Sequence, residues 1–148
     1  MEMMPDVSAP VRLRTMPSWL MTQVAAAGER LVGERLAAVG VRRYHYRVLA
    51  ALDEFGPASQ AGVARHSGVH TSDVVAVVNE LVEQGFASRA TDPDDRRRNV
   101  VAVTEPGVAK LEELDAVLAE AQDELLKPLS DGERAELVRL LGRVLLGS

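Results

Sequence analysis

Three consecutive arginines, Arg96, Arg97 and Arg98, are the residues of this 148-residue chain that point most directly to a chemistry. A guanidinium group is a flat, weakly hydrated cation that suits phosphate oxygens and a narrow DNA minor groove. The arginines follow residues 92–95, which are Asp, Pro, Asp and Asp and favour a turn. One interpretation is a nucleic-acid contact. The other is that solvated arginines merely offset the aspartates, and the surrounding elements must decide between the two.

Two short β-like runs, residues 86–90 and 100–103, flank the polar segment at residues 92–99. They predict a β-hairpin whose tip carries the arginines. A helix-like segment that ends at Gly85 precedes the hairpin, and a shorter one that ends at Gly68 precedes that helix. The order of helix, turn, helix and basic hairpin predicts a winged helix-turn-helix. The predicted fold class is mainly α with a small β-hairpin.

The helix before the hairpin, predicted from His70 or Thr71 to Gln84, is the element that would enter a DNA groove. Spacings of three and four predict its buried face at Val74, Val77, Val78 and Leu81. Candidate DNA contacts on its other side are His70, Thr71, Ser72, Asp73, Val75, Ala76 and Asn79. Asn79 could pair with adenine, Asp73 could accept from cytosine, and Val75 could meet a thymine methyl. The alternative for each is a solvated side chain.

This helix is unusual for a DNA-binding element, because residues 71–84 contain no lysine or arginine and three acids, Asp73, Glu80 and Glu83. Base preference would then rest partly on the hairpin and on DNA shape. Arg65 and the arginines at 42, 43 and 47 are candidate backbone contacts. The net charge of −5 is no objection, since residues 105–148 hold ten acidic and five basic side chains and residues 1–104 hold twelve of each. A nucleic-acid surface must therefore be local.

Two further helical blocks flank the winged unit, which we place at about residues 42–104. They are predicted at about residues 17–39 and 105–146, and both carry apolar stripes. A domain of this size does not need so much apolar helix for its own core, so we expect these helices to dimerise against a second copy. Residues 1–16 are predicted to be a flexible arm ahead of a domain at residues 17–148.

Composition excludes several other classes of function. No apolar run approaches the roughly 20 residues that cross a bilayer, and no signal pattern opens the chain, so we expect a cytoplasmic protein with no membrane partner. The chain has no cysteine, which excludes thiolate metal sites. A metal site of His45, His66 and His70 is not favoured, because Ser67 and Gly68 break the helix between the last two. We expect no cofactor and no enzymatic activity, since no phosphate loop or nucleophile with a histidine is recognisable.

The combination of these features resembles the MarR family of bacterial transcriptional regulators. The resemblance covers about residues 19–146 and rests on the order and length of the elements, on Gly68 and Gly85, and on two strings, Asp95-Arg96-Arg97 and Thr104-Glu105-Pro106-Gly107. It implies a triangular homodimer that binds a pseudo-palindromic operator, usually as a repressor and often released by a small aromatic or phenolic ligand. The chain departs from the family in its acidic helix at residues 71–84, where members commonly carry basic residues.

The resemblance also implies roles for particular residues. Asp95 and Arg97 match the wing motif, in which the arginine reaches the minor groove and the acid helps to hold the loop. An effector site is implied at the junction of the helices predicted at about residues 17–39, 42–54 and 106–127, where the polar aromatic candidates are Trp19, Tyr44, His45 and Tyr46. The alternative is that these residues anchor the core. For the whole chain, the alternative function is a winged-helix protein interaction module with weak, non-specific DNA binding, which the acidic helix would favour.

Overall fold

The computed structural model describes residues 8–147, and within them it contains seven α-helices and one two-stranded hairpin. The helices are α1 Val11–Arg14, α2 Pro17–Ala38, α3 Arg43–Phe55, α4 Gln60–Ser67, α5 Thr71–Glu83, α6 Glu105–Leu125 and α7 Asp131–Leu146. The strands are β1 Ala87–Asp92 and β2 Asp95–Val103, paired antiparallel. The predicted fold class is confirmed: the fold is mainly α, with a small hairpin that follows a helix-turn-helix.

The described chain forms two compact units, of which the first consists of residues 32–118. Its core is aliphatic, and its fully buried side chains include Leu36, Val48, Leu49, Val63, Val74, Val78, Leu81, Val101 and Leu114. The four residues predicted to form the inner face of α5 are all buried. Burial of each such side chain contributes about 1.5–3 kcal/mol, which fixes the rotation of α5 and leaves its opposite face to solvent.

The helix-turn-helix itself is set by local caps. Ser59 caps α4 by accepting a hydrogen bond from the backbone N–H of Gly62. Helix α4 ends at Gly68, whose φ of +71° is a left-handed conformation that glycine adopts without steric cost. His70 then caps α5, so three residues separate the two helices and α5 begins at the predicted position.

The Thr-x-x-Gly string at the start of α6 has a steric explanation. Thr104 Oγ1 accepts from the backbone N–H of Gly107 at 3.1 Å and donates to the carbonyl oxygen of Gly85 at 2.6 Å. It therefore caps α6 and ties it to the chain that follows α5. A Cβ on Gly107 would lie 2.0 Å from the carbonyl oxygen of Phe86, so a side chain at this position would force α6 away from the hairpin.

The second compact unit contains the described residues 8–31 and 119–147. A capping box between Ser130 and Glu133 opens α7. Helix α1 is a short turn of helix inside the predicted arm, whose residues 1–7 lie outside the described part of the chain. Large apolar side chains are exposed along α2 and α7, among them Leu20, Met21, Val24, Val138, Leu140, Leu141, Val144, Leu145 and Leu146. Among the described residues, no helix combines the length and apolarity needed to span a membrane.

Candidate nucleic-acid interface

The hairpin differs from the prediction in where its turn lies. The strands pair from Ala87 opposite Val103 to Thr91 opposite Asn99, and the next pair is Asp92 opposite Asp95. Only Pro93 and Asp94 form the turn, so the predicted tip at residues 92–99 was too long. The physical reason is that Asp92 Oδ1 accepts from the backbone N–H of Asp94 at 2.9 Å, which closes the turn within two residues.

The three arginines consequently lie on β2 and not in the turn. Residues 96–98 fall between two successive cross-strand pairs, so they face no residue of β1 and form a bulge. Asp95 Oδ1 accepts from the backbone N–H of Arg97 at 3.0 Å and from its Nε at 3.4 Å. The Arg97 side chain is nevertheless 92% exposed. A surface ion pair of this kind is weak, so the guanidinium can exchange Asp95 for a phosphate at little cost.

The outer face of α5 carries the residues predicted to be available to DNA. Thr71, Ser72, Asp73, Val75, Ala76 and Asn79 are all exposed, as are His70 and Arg65 just before the helix. His70 Nδ1 accepts from the backbone N–H of Ser72 at 3.2 Å. The neutral His70 ring must then carry its proton on Nε2, which provides a donor for an anion at the N-terminus of a helix.

Glu80, one of the three acids of α5, contacts Arg42 and His45. Its carboxylate accepts two hydrogen bonds from Arg42 Nη2, at 2.5 and 2.6 Å, and it lies 2.6 Å from His45 Nε2. The hydrogen bonds from Arg42 and His45 lower the pKa of Glu80, although desolvation acts in the opposite direction. The hydrogen bond to Glu80 in turn raises the pKa of Arg42. One of the three acids of α5 is thus neutralised, and Arg42 is engaged within the fold.

Arg89 is a residue of this surface that the sequence analysis missed. It lies in β1 two residues after the buried Ala87 and therefore on the same side of the strand. Its Nη2 donates to Asn79 Oδ1 at 2.5 Å. A cation from the hairpin is thereby brought against a helix that has none of its own. The spacing of two residues from Ala87 to Arg89 indicates that both side chains lie on one side of β1. The sequence does not indicate which residue of α5 Arg89 contacts.

A small cavity lies within the unit of residues 32–118. Its volume is about 110 Å³, and its polar lining residues are Arg42, His45, Glu80, Gln84 and Lys110. The His45 side chain is 8% exposed, and its Nδ1 is buried without a hydrogen-bond partner among the described residues. Arg42, His45 Nε2 and Lys110 carry hydrogen-bond donors, and those of Arg42 Nη2 and His45 Nε2 are engaged by the Glu80 carboxylate.

The four predicted effector residues are not all gathered at this cavity. His45 lines it, whereas Tyr44 and Tyr46 do not, and Trp19 belongs to the other compact unit. Tyr44 is exposed. The Tyr46 hydroxyl donates to Asp115 Oδ1 at 2.7 Å, and burial and this hydrogen bond raise the pKa of Tyr46 to about 12. Tyr46 therefore joins α3 to α6. His66 stacks on Phe55 with ring centroids 4.1 Å apart.

Comparisons with known proteins agree with this architecture. The family model described as MarR family matches residues 39–98. A protein of Thauera aromatica, named for transcriptional regulation of the hcr operon, is 35% identical over 105 residues, which are 71% of this chain and 63% of that protein. The chain therefore spans less than two thirds of the length of this curated relative.

Two solved structures are similar over most of their length. A mutant MarR from E. coli complexed with operator DNA has a TM-score of 0.75 at 24% identity, covering 93% of this chain and 99% of that chain. CouR from Rhodococcus jostii RHA1 bound to p-coumaroyl-CoA has a TM-score of 0.73 at 26% identity, covering 91% of this chain and 95% of that chain. The likeness to the E. coli protein is a likeness of fold.

Proposed function

We propose that this chain, which belongs to the MarR family of transcriptional regulators, binds a pseudo-palindromic DNA operator as a homodimer and represses transcription in the cytoplasm. Membership in a family of regulators also argues against an enzyme. The observation that carries the DNA-binding proposal is the bulge of residues 96–98, where Arg97 is 92% exposed on the hairpin that follows α5. In such an arrangement the helix contacts base edges in the major groove, and the basic hairpin beside it binds phosphates.

Charge along the chain supports this proposal. The net charge of −5 disfavours unspecific attraction to DNA, so affinity must come from local cations. Arg96, Arg97 and Arg98 are exposed together, and each phosphate that they neutralise releases counterions. Because Glu80 is paired with Arg42, the acids that remain exposed on α5 are Asp73 and Glu83, near its two ends. The middle of α5 is then free of unpaired negative charge.

The homodimer is supported by apolar surface in the unit that contains α7. Six of its exposed large side chains, from Val138 to Leu146, lie on this one helix, and exposed apolar patches commonly mark protein–protein interfaces. Two copies related by a twofold axis would bury such a face against itself. The same symmetry would present two α5 helices to half-sites about one helical turn apart.

We infer that the cavity at His45 is the effector site and that its ligand is a small, single-ring aromatic anion. An engineered apolar cavity of roughly 150 Å³ binds benzene, so the volume of about 110 Å³ limits the ligand to about one ring. The p-coumaroyl-CoA bound by CouR is far larger. An anion here would compete with Glu80 for Arg42 and His45, and it would thereby loosen the contact between α3 and α5.

The test is selection from a pool of random duplexes by the purified protein at near-physiological salt, followed by sequencing. We expect an inverted repeat with half-sites about one helical turn apart. Addition of single-ring aromatic carboxylates to the retained complex should release the operator. If no sequence is enriched and binding vanishes at moderate salt, the operator proposal is wrong and the protein interaction module becomes the better explanation.

A further inference from the structure

The hydrogen bond between Arg89 and Asn79 restricts what Asn79 can offer to a base. A guanidinium group has donors and no acceptor, so the Asn79 atom that faces it must be the amide oxygen. The Nε of Arg89 is buried and has no hydrogen-bond partner within the described residues. Its inner edge is therefore enclosed, and its outer edge reaches Asn79 Oδ1 at 2.5 Å. The Arg89 guanidinium is therefore partly buried on the side of Nε and contacts Asn79 through Nη2.

The geometry of a carboxamide then decides which atoms point outward. Oxygen and nitrogen diverge from the same carbon, so an oxygen held against Arg89 turns the amide nitrogen away from it. Adenine is read by asparagine through both atoms, because its major-groove edge presents the N7 acceptor beside the N6 donor. Asn79, with one lone pair of Oδ1 taken by Arg89 and the oxygen turned toward that cation, completes this pair poorly. It retains two N–H donors, and the base whose major-groove edge offers two acceptors, N7 and O6, is guanine.

We propose that Arg89 sets the base preference of Asn79, so that the operator position facing Asn79 is guanine and not adenine. The inference rests on the proposed function, since it requires α5 to lie in the major groove. It replaces the pairing of Asn79 with adenine that the residue type alone suggests. Arg89 acts here as a positioning residue, because it reaches the base through Asn79.

The experiment repeats the duplex selection with Arg89→Met, Asn79→Ala and the double variant. Methionine keeps an unbranched apolar stem in place of the arginine stem but cannot donate. The wild-type protein should enrich guanine at the position that Asn79→Ala makes indifferent. Arg89→Met should shift this position toward adenine by about tenfold, the scale of one bidentate base contact. The double variant should match Asn79→Ala. Retention of guanine by Arg89→Met, or an equal loss of affinity for all four bases, would overturn the inference.

A second variant keeps the test independent of the folding of Arg89→Met. Asn79→Asp retains an acceptor for Arg89 but has no N–H to offer, so it should lose guanine and favour cytosine, whose N4 is a donor. Guanine retained by this variant would also contradict the inference. Arg96→Met is the matched control, because removal of a phosphate-binding cation should weaken all sequences alike. A wild-type selection without any consensus would refute the operator itself, whereas a consensus insensitive to Asn79→Ala would refute this inference alone.

Discussion

The arginines of the bulge are exposed, and their contribution to DNA binding is testable. Replacement of Arg96 and Arg97 by alanine should weaken duplex binding and flatten the dependence of log affinity on log salt by about 0.9 for each phosphate that is no longer neutralised. The double variant Lys127→Ala/Arg139→Ala removes the same charge outside the winged unit and should leave the slope unchanged. Fluorescence anisotropy titrations over a range of salt concentrations would measure both. Equal slopes in all three proteins would rule out the wing as a DNA-binding element.

Tyr46 gives the fold a pH dependence of known sign. Its pKa is raised to about 12 in the folded protein, from about 10 in an unfolded chain. Between these values the folded state holds a proton that the unfolded state has lost, so the free energy of unfolding should fall as pH rises from about 10 to about 12. Because solvent screens a half-buried pair, we expect a loss of about 1 kcal/mol.

Urea titrations at several alkaline pH values would test this expectation. Tyr46→Phe should be less stable near neutral pH and should lose less stability than the wild type as the pH rises. Tyr44→Phe is the matched control, since Tyr44 is exposed on the same helix, and it should keep the wild-type slope. A slope unaltered by Tyr46→Phe would show that the bond to Asp115 does not hold this proton in solution.

Residue types alone singled out some of these residues and missed others. The arginines of the hairpin and Asp95 were recognisable because turn-forming residues and charge are local properties. The link from Arg89 to Asn79, and that from Glu80 to Arg42 and His45, join residues that are 10, 38 and 35 positions apart. Such pairs depend on how β1 and α3 pack against α5, and no periodicity within a single element encodes that packing.

At the scale of elements, helix ends were predictable where a cap lies within four residues. Ser59 with Gly62 opens α4, and Ser130 with Glu133 opens α7. The extent of the hairpin was not predictable in the same way. Residues 95–98 lack the β-branched and aromatic side chains that favour strands, yet they belong to β2 because the turn closes at Pro93 and Asp94. Strand length there is decided by the turn and not by propensity.

The close approach of α6 to the hairpin predicts a strongly destabilising substitution. Gly107→Ala would place a methyl group 2.0 Å from the Phe86 carbonyl oxygen, and backbone cannot yield as a flexible side chain can. We expect a loss of about 3 kcal/mol in the free energy of unfolding. Gly132→Ala is the matched control, because nothing lies within 4 Å of a Cβ there and alanine favours a helix. Thermal and urea unfolding would compare them, and equal stabilities would contradict the close approach.

At the scale of the whole molecule, the distribution of charge separates a region suited to DNA contact from a region suited to protein contact. The C-terminal residues 105–148 carry the whole negative excess, which disfavours contact with a polyanion, while three arginines are concentrated on the hairpin. The exposed apolar side chains follow the same division, since α7 bears six of them and the outer face of α5 bears Val75 alone. Helix α7 is thus suited to contact another protein chain, whereas the outer face of α5 and the hairpin are suited to contact nucleic acid.

This division predicts that dimerisation and DNA affinity can be uncoupled from folding. Leu141→Glu together with Leu145→Glu places two charges in the exposed apolar face of α7, where Leu145 is 85% exposed, and burial of an unpaired charge is costly. Sedimentation equilibrium should show a shift from dimer to monomer, while circular dichroism remains helical. Operator affinity should fall toward that of a single half-site, because the second half-site no longer binds at high effective concentration. Lys127→Glu, a charge change outside this face, should remain dimeric, and a dimeric double variant with full affinity would place the interface elsewhere.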